Sequence, residues 1–335
     1  MNPAGAFVTM ESSTSSQPGP LSLPLIQAAH GRIHDKVHRT PVMTSGTLDA
    51  LASAHLYFKC ENLQKVGVFK ARGATNAVLS LTAEEAARGV VTHSSGNHAA
   101  ALARAARLRT IPAYIVMPEN APKAKVAAVR RYGGEIVFCE PTLEARETTA
   151  RQIIERTGAW LVHPYNDLNV MAGQGTVGLE LLDQVRNLDV VLCPVGGGGL
   201  LSGVAAAVKA LKPSIRVIGV EPRGADDAAR SLMAGQIIPS VNPKTLADGL
   251  LTSLGDKTFA EIQRHVDTIV TVSEEAIVRA MRLIWEVLKL VVEASGAVSY
   301  AALMPGGVDA KDKHVGVILS GGNLDLELLP WQRAT

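Results

Sequence analysis

From about residue 89 onward, short runs rich in β-branched residues alternate with stretches of helical periodicity. The runs are GVVTH, IPAYIVM, EIVFCE and WLVHP, followed by DVVLCPV, RVIGVEP and HVGVILS. Strands separated by helices of this length favour right-handed βαβ crossovers, which build parallel sheets covered by helices on both faces. The sequence therefore predicts an α/β fold with parallel sheets flanked by helices.

Two such series within 335 residues predict two lobes that share a cleft. We expect a small domain over 80–165, inserted into a large domain made of 21–79 and 166–335. The first twenty residues carry a Ser/Thr cluster and three prolines, without a basic leader or a long apolar run. We expect 1–20 to form a disordered tail rather than a signal peptide.

A long amphipathic helix is predicted near the end of the chain, over 274–292. Its apolar residues recur at spacings of four, three, four and three: Ile277, Met281, Ile284, Leu288 and Val291. A stripe of this kind is typical of core packing, so we assign it no ligand.

The charge balance excludes several classes of partner. Basic and acidic side chains number 33 and 31, so no basic field points to nucleic acid or an anionic membrane. Residues 190–208 are uncharged, but Pro194 and five glycines mark a strand, a loop and a helix start rather than a membrane helix. Three widely spaced cysteines favour a reducing compartment. We expect a cytoplasmic protein without nucleic-acid or membrane partners.

Four consecutive glycines, Gly196, Gly197, Gly198 and Gly199, lie between a predicted strand and a predicted helix. Without Cβ atoms, successive backbone N–H groups can converge on an anion, and the helix N-terminus adds positive potential. A tight turn needs fewer glycines, so we favour a phosphate site. Glu221 on the next strand would suit a ribose, but the glycines fit neither G-x-G-x-x-G nor the P-loop. A monophosphate therefore fits this loop better than a pyrophosphate or a nucleotide triphosphate.

Lys70 lies in an apolar stretch, between Val68-Phe69 and Ala71. Burial among such residues lowers the pKa of a lysine and frees its amine to form an imine. On the residues alone, a surface lysine is the commoner explanation.

Six motifs, in order, carry a resemblance to a known family. They are VFKARGA, THSSGNHAAALA, PVGGGG, VEPRGADDA, KTLADG and LSGGNLDL. The chain resembles the fold type II pyridoxal-phosphate enzymes over about residues 25–330, specifically the serine racemase and serine/threonine dehydratase group. The resemblance implies a two-lobed fold like that of the tryptophan synthase β chain, pyridoxal 5′-phosphate as cofactor, a small amino-acid substrate and a homodimer.

The resemblance also assigns the residues around the cofactor. Lys70 would hold it as an imine, with Phe69 against the ring and Asn97 bonded to the phenolic oxygen. The amides of Gly196 to Leu200 would bind the phosphate, and Ser320 would meet the pyridine nitrogen. A serine cannot hold a proton there as a carboxylate would. The ring would then withdraw fewer electrons, which suits early loss of a β-leaving group.

A second loop is predicted to bind the substrate carboxylate. Ser94, Ser95, Asn97 and His98 lie between a strand and a helix, where hydroxyls and amides face one place. Ordinary capping would explain the same residues. The resemblance makes Ser95 an acid/base on the cofactor face opposite Lys70, and groups on two faces permit racemisation as well as elimination.

One further group of residues and one arginine gain a role through the resemblance. Glu221, Ala225 and Asp227 could offer two carboxylates and a carbonyl to a hard cation, or simply cap a helix. The resemblance implies Mg²⁺ or Ca²⁺. Arg146 matches an arginine near the substrate pocket of related racemases and hydroxyaspartate dehydratases. It could pair a second substrate carboxylate or remain a plain helix-surface residue.

We therefore expect a dehydratase, or ammonia-lyase, that converts a β-hydroxy-α-amino acid such as serine or threonine to a 2-oxo acid and ammonia. The alternatives are a serine racemase with side elimination, and a 3-hydroxyaspartate or phenylserine dehydratase. A non-enzymatic or NAD-type binding module also stays open. Val68 stands where the family has serine, and Glu293-Ala294-Ser295 replaces Glu-Pro-Ser/Thr. These two departures leave the preferred substrate open. Val66 and Tyr165 replace a Thr and an Asn that bind ATP in mammalian serine racemases, which argues against nucleotide activation.

Overall fold

The computed structural model describes residues 19–94 and 96–332. Nearly all of the predicted tail, and Ser95, lie outside the described residues. The strands are β1 (Val42–Met43), β2 (His55–Cys60), β3 (Val90–Thr92), β4 (Ala113–Pro118), β5 (Glu135–Cys139), β6 (Trp160–Leu161), β7 (Val190–Pro194), β8 (Arg216–Pro222), β9 (Thr268–Val272) and β10 (His314–Leu319). The helices are α1 (Leu23–Ile33), α2 (Gly46–Ala52), α3 (Lys70–Ser80), α4 (Ala83–Ala87), α5 (Asn97–Arg109), α6 (Lys123–Arg131), α7 (Leu143–Thr157), α8 (Leu168–Gln184), α9 (Gly199–Leu211), α10 (Asp227–Ala234), α11 (Asp256–His265), α12 (Glu274–Leu283) and α13 (Ala294–Ala301).

These strands form two sheets. The larger has the order β1-β2-β10-β7-β8-β9, and all of its neighbouring pairs are parallel except β1 with β2. The smaller has the order β5-β4-β3-β6 and is parallel throughout. Helices flank both sheets, as crossover connections require. The predicted α/β class with parallel sheets is confirmed.

The strands divide between the sheets by position in the chain. Strands β3 to β6 all lie within 80–165, whereas β1, β2 and β7 to β10 come from before and after that range. The domain boundaries at 80 and 165 stay a prediction.

The helix that begins with Lys70 is held in place by a close helix crossing. Helix α3 lies against α8, and a Cβ placed on Gly173 would come within 2.6 Å of the Gly73 Cα. Only residues without side chains allow two backbones to approach so closely. The first turn of α3, and with it Lys70, is therefore fixed against the large sheet's helices.

The predicted helix over 274–292 is wrong in its last turns. Helix α12 passes into a π-helical turn over Ile284–Leu288, and the chain then leaves through Lys289 at φ 58°. The change of period breaks the predicted stripe after Leu288. Ile277, Met281, Ile284 and Leu288 are buried as expected, whereas Val291 is 47% exposed.

Within residues 19–94 and 96–332, no helix is both long enough and apolar enough to cross a membrane. The uncharged stretch of 190–208 accordingly forms β7, the glycine loop and most of α9, as predicted.

Candidate active site

The predicted cofactor and substrate residues that the structure describes meet in a cavity of about 430 Å³, which opens where β7 and β10 end. The carboxyl ends of parallel strands are the usual place for ligand binding in such sheets. The predicted site residues that line it are Phe69, Lys70, Ser94, Asn97, His98, Arg146, Gly196, Gly197, Gly198, Gly199, Leu200 and Ser320. These residues come from distant parts of the chain, so the fold brings them together.

Lys70 is one of two lysines that line this cavity in the described part of the chain. Its Nζ donates a 2.7 Å hydrogen bond to the Pro164 carbonyl and lies 5.1 Å from the centroid of the Phe69 ring. Burial lowers the pKa of Lys70 from 10.5 to about 8. A substantial fraction of this amine is thus neutral near pH 8, which nucleophilic attack on a carbonyl requires.

The glycine loop forms another part of the cavity wall. Gly198 has φ +89°, and a Cβ on Gly197 would lie 2.4 Å from the ring of Tyr165. Among the described residues, the amides of Gly196, Gly197 and Gly198 donate to no backbone or side-chain acceptor. With the first amides of α9 they form a cup of unpaired donors, which is the arrangement that binds a phosphate group.

Hydroxyl groups of helices α11 and α9 bind the carbonyls of the glycine loop. The Thr258 hydroxyl donates a 2.8 Å hydrogen bond to the Gly197 carbonyl, and the Ser202 hydroxyl donates to the Gly198 carbonyl at 2.8 Å. These two bonds fix the backbone of the loop, whose four glycines line the cavity.

A buried carboxyl orients Asn97. The Asn97 Nδ2 donates to Glu293 Oε1 at 3.0 Å, and its Oδ1 accepts from Asn323 Nδ2 at 2.9 Å. Burial raises the pKa of Glu293 to about 8, and the charge of Asp248 adds to the rise. The Asn97 amide thus keeps one N–H for a ligand in the cavity.

Ser320 directly follows strand β10 and is 3% exposed. Its hydroxyl donates a long hydrogen bond, 3.4 Å, to the Ser295 carbonyl. A hydroxyl with such a weak partner can turn toward a ring nitrogen in the cavity.

The predicted carboxylate loop runs into the N-terminus of α5. The Ser94 Oγ accepts from the Gly96 amide at 3.5 Å, while Ser95 lies outside the described residues. The His98 ring lies 3.2 Å through Nε2 from the Val162 carbonyl, and burial and the Lys70 charge hold its pKa well below the usual value. His98 is therefore neutral, and a carboxylate would meet its backbone amide rather than a cationic ring.

The predicted metal residues form a separate buried acidic pair at the end of β8. Glu221 accepts hydrogen bonds from the amides of Ala229, at 2.7 Å, and Ala228, at 3.2 Å. Asp227 Oδ2 is buried without a hydrogen-bond partner. Burial raises the pKa of Glu221 to about 8 and that of Asp227 to about 6. In the described chain no cluster of three His, Cys, Asp or Glu side chains has metal-site geometry, so water would complete any cation site here.

Some lining residues were not predicted from the sequence. Glu293 could have been suspected, because it is the one acid in the apolar stretch LVVEASGAV. Lys125 and Asp248 also line the cavity and form an ion pair of 2.8 Å. They stand 123 positions apart, and no local pattern connects them.

Known proteins resemble this chain in sequence and in fold. Residues 33–321 match the family model described as pyridoxal-phosphate dependent enzyme. A serine racemase of Arabidopsis thaliana is 53% identical, with 90% of this chain and 92% of the relative covered. A beta-hydroxyaspartate dehydratase of Paracoccus denitrificans is 52% identical, with 91% and 96% covered. The solved structure of maize serine racemase superposes with a TM-score of 0.91 at 48% identity, covering 94% of this chain and 97% of that one.

Proposed function

This chain belongs to the family of pyridoxal-phosphate dependent enzymes, and on that basis we propose that it is a dehydratase of β-hydroxy-α-amino acids of the serine and threonine type. The products are a 2-oxo acid and ammonia. One observation carries the proposal: a lysine amine of lowered pKa, a cup of unpaired amides and a serine hydroxyl line one cavity.

The residues of the cavity fit the family's cofactor. The amide cup suits its phosphate, Asn97 has an N–H for its phenolic oxygen, and Lys70 can bind its aldehyde covalently. Ser320 offers a neutral donor to its ring nitrogen. When bound, the cofactor supplies an electron sink for the negative charge that develops at the substrate Cα.

The chain itself orients the substrate and moves a proton. The amides at the start of α5 bind the substrate carboxylate, which fixes Cα near Lys70. With its pKa of about 8, the released Lys70 amine can accept the Cα proton near neutral pH. Ser320 would donate to the ring nitrogen without protonating it, so the bound cofactor would withdraw fewer electrons, which suits early loss of the β-hydroxyl, protonated and released as water.

Specific observations support two alternatives. The Arabidopsis relative is a serine racemase, and Ser95, which we propose as the acid/base opposite Lys70, would permit inversion. The Paracoccus relative is a beta-hydroxyaspartate dehydratase, and Arg146 lines the cavity where a second carboxylate could bind. A phenylserine dehydratase would need the same chemistry with a larger pocket.

A substrate panel tests the proposal. Purified holoenzyme is given serine, threonine, 3-hydroxyaspartate and phenylserine, and both ammonia and the chirality of the remaining amino acid are measured. We expect ammonia and 2-oxo acid in equal amounts, formed faster than the opposite enantiomer. Accumulation of the enantiomer without ammonia would make the protein a racemase and contradict the proposal.

We further propose that Glu221, the Ala225 carbonyl and Asp227 bind Mg²⁺ or Ca²⁺. The support is electrostatic, because the two carboxyl groups are buried and Asp227 Oδ2 lacks a partner. A hard cation with several waters would neutralise both carboxylates. We also propose the homodimer and the cytoplasmic location expected from the sequence.

The cation is expected to stabilise the protein more at pH 8 than at pH 6. The folded pKa of Glu221, about 8, exceeds its ordinary value of 4.5, so without cation stability falls as pH rises through that interval. A cation at one hundred times its dissociation constant contributes about 2.7 kcal/mol. Thermal melts with MgCl₂, CaCl₂ or EDTA measure the shift in melting temperature that the cation causes.

Glu221→Gln should remove this cation-dependent shift, whereas Glu84→Gln, at an exposed helix position, should keep it. An equal melting temperature in EDTA and in either cation, at both pH values, would overturn the metal assignment.

A further inference from the structure

The mouth of the cavity carries an ion pair between two distant parts of the chain. Lys125 belongs to α6, beside the small sheet, and Asp248 to the short helical turn Asp248–Leu250 near the glycine cup. The Lys125 Nζ and Asp248 Oδ2 are 2.8 Å apart, and both side chains line the cavity with Arg146.

The position of Lys125 is unusual for a helix. It lies in the first turn of α6, where the backbone dipole favours acidic side chains, yet that turn has no acid and holds Lys123 as well. Lysine there adds to the positive potential of the helix N-terminus instead of offsetting it. In the described chain, the ion pair of the Lys125 side chain is the one with Asp248.

Asp248 is itself anchored beside the site. The next residue, Gly249, donates its amide to the Ser295 hydroxyl at 3.0 Å, and Leu250 packs against Gly196. The carboxylate is thus presented to Lys125 from a fixed segment, although the pair remains partly exposed, at 38% and 56%.

The charged side chains at the mouth of the cavity are of both signs. Lys125 and Arg146 are cationic and Asp248 is anionic, and Arg146 forms no ion pair with any described residue. A substrate with a neutral side chain leaves the Lys125 pair intact. A substrate with a second carboxylate must compete with Asp248 for Lys125.

We propose that Asp248 is a specificity-determining residue, an internal carboxylate that competes with dicarboxylic β-hydroxy amino acids for Lys125. This inference rests on the proposed function, since it names the side-chain class which the same cavity selects. It concerns Lys125 and Asp248, neither of which takes part in the proton transfer assigned to Lys70.

Asp248→Asn tests it. Releasing Lys125 should raise the kcat/KM ratio of 3-hydroxyaspartate to serine by about fivefold, the size expected for a partly exposed ion pair. Lys125→Gln should lower the same ratio. The matched controls are Asp183→Asn, which breaks a surface pair with Arg39, and Lys123→Gln on the same helix turn, and both should leave the ratio unchanged.

A binding measurement separates this inference from the proposed function. Calorimetry on the holoenzyme should show malonate, but not acetate, binding about fivefold more tightly to Asp248→Asn than to wild type, with the difference shrinking in high salt. If neither the ratio nor malonate affinity rises in Asp248→Asn, the inference is wrong, whatever the activity. If no amino acid yields ammonia yet malonate affinity still rises, the proposed function fails and the role of Asp248 stands.

Discussion

Lys70→Ala is expected to abolish the visible absorbance of bound cofactor and to lower turnover at least about a thousandfold. The amine faces the cavity, lies 2.7 Å from the Pro164 carbonyl and has a pKa lowered by burial to about 8. No other lysine combines this pKa with a place beside the glycine cup in the described part of the chain. Alanine removes both the covalent attachment and the base, so added cofactor should not restore activity.

The matched control is Lys65→Ala. Lys65 lies in the same segment but is not among the residues that line the cavity. Its replacement should leave absorbance and turnover near wild type. Formation of 2-oxo acid and ammonia by Lys70→Ala within tenfold of wild type would refute the assignment of Lys70.

Arg72→Ala is expected to destabilise the fold by about 3–5 kcal/mol, the usual cost of breaking a buried ion pair. Arg72 is fully buried two residues after Lys70. Its guanidinium donates to Glu61 at 2.7 and 2.8 Å and to Glu180 at 2.7 and 2.8 Å. Lys59, at 2.6 Å from Glu180, would be left as the one cation of the network. Two buried carboxylates would then share a single positive charge.

Urea unfolding followed by circular dichroism measures the effect. Arg39→Ala removes an arginine from an exposed pair with Asp183 and should shift the midpoint far less. A midpoint for Arg72→Ala equal to that of Arg39→Ala would show that the buried network contributes little. Because Arg72 also fixes the first turn of α3, we expect cofactor binding to weaken together with stability.

The parts of the site that lie in contiguous motifs were predictable from the sequence. Four glycines after a buried strand predict a phosphate site; the structure places them after β7 in the lining of the cavity, and phosphate binding there stays a prediction. Lys70 needed the resemblance, because one lysine among apolar residues is ambiguous until the fold shows what it faces. The alternation of strands and helices likewise predicted the α/β class.

Features that depend on distant pairs were not predictable. The strand order β1-β2-β10-β7-β8-β9 places the last strand, β10, between β2 and β7, which no local pattern specifies. The bond from Asn97 to Glu293 joins residues 196 positions apart. The end of the helix at Leu288 also escaped prediction, because the π-helical turn changes the period that the apolar stripe assumes.

The most direct test of the central claim is to find which residue carries the cofactor. Holoenzyme is reduced with borohydride, digested and analysed by peptide mass spectrometry for a lysine bearing the reduced cofactor. We expect the modification on Lys70, in the peptide that contains VFKAR, and its loss when the amides of the glycine cup are blocked by Gly197→Val. A modified lysine elsewhere in the chain, or none in a protein that turns over substrate, would contradict the account.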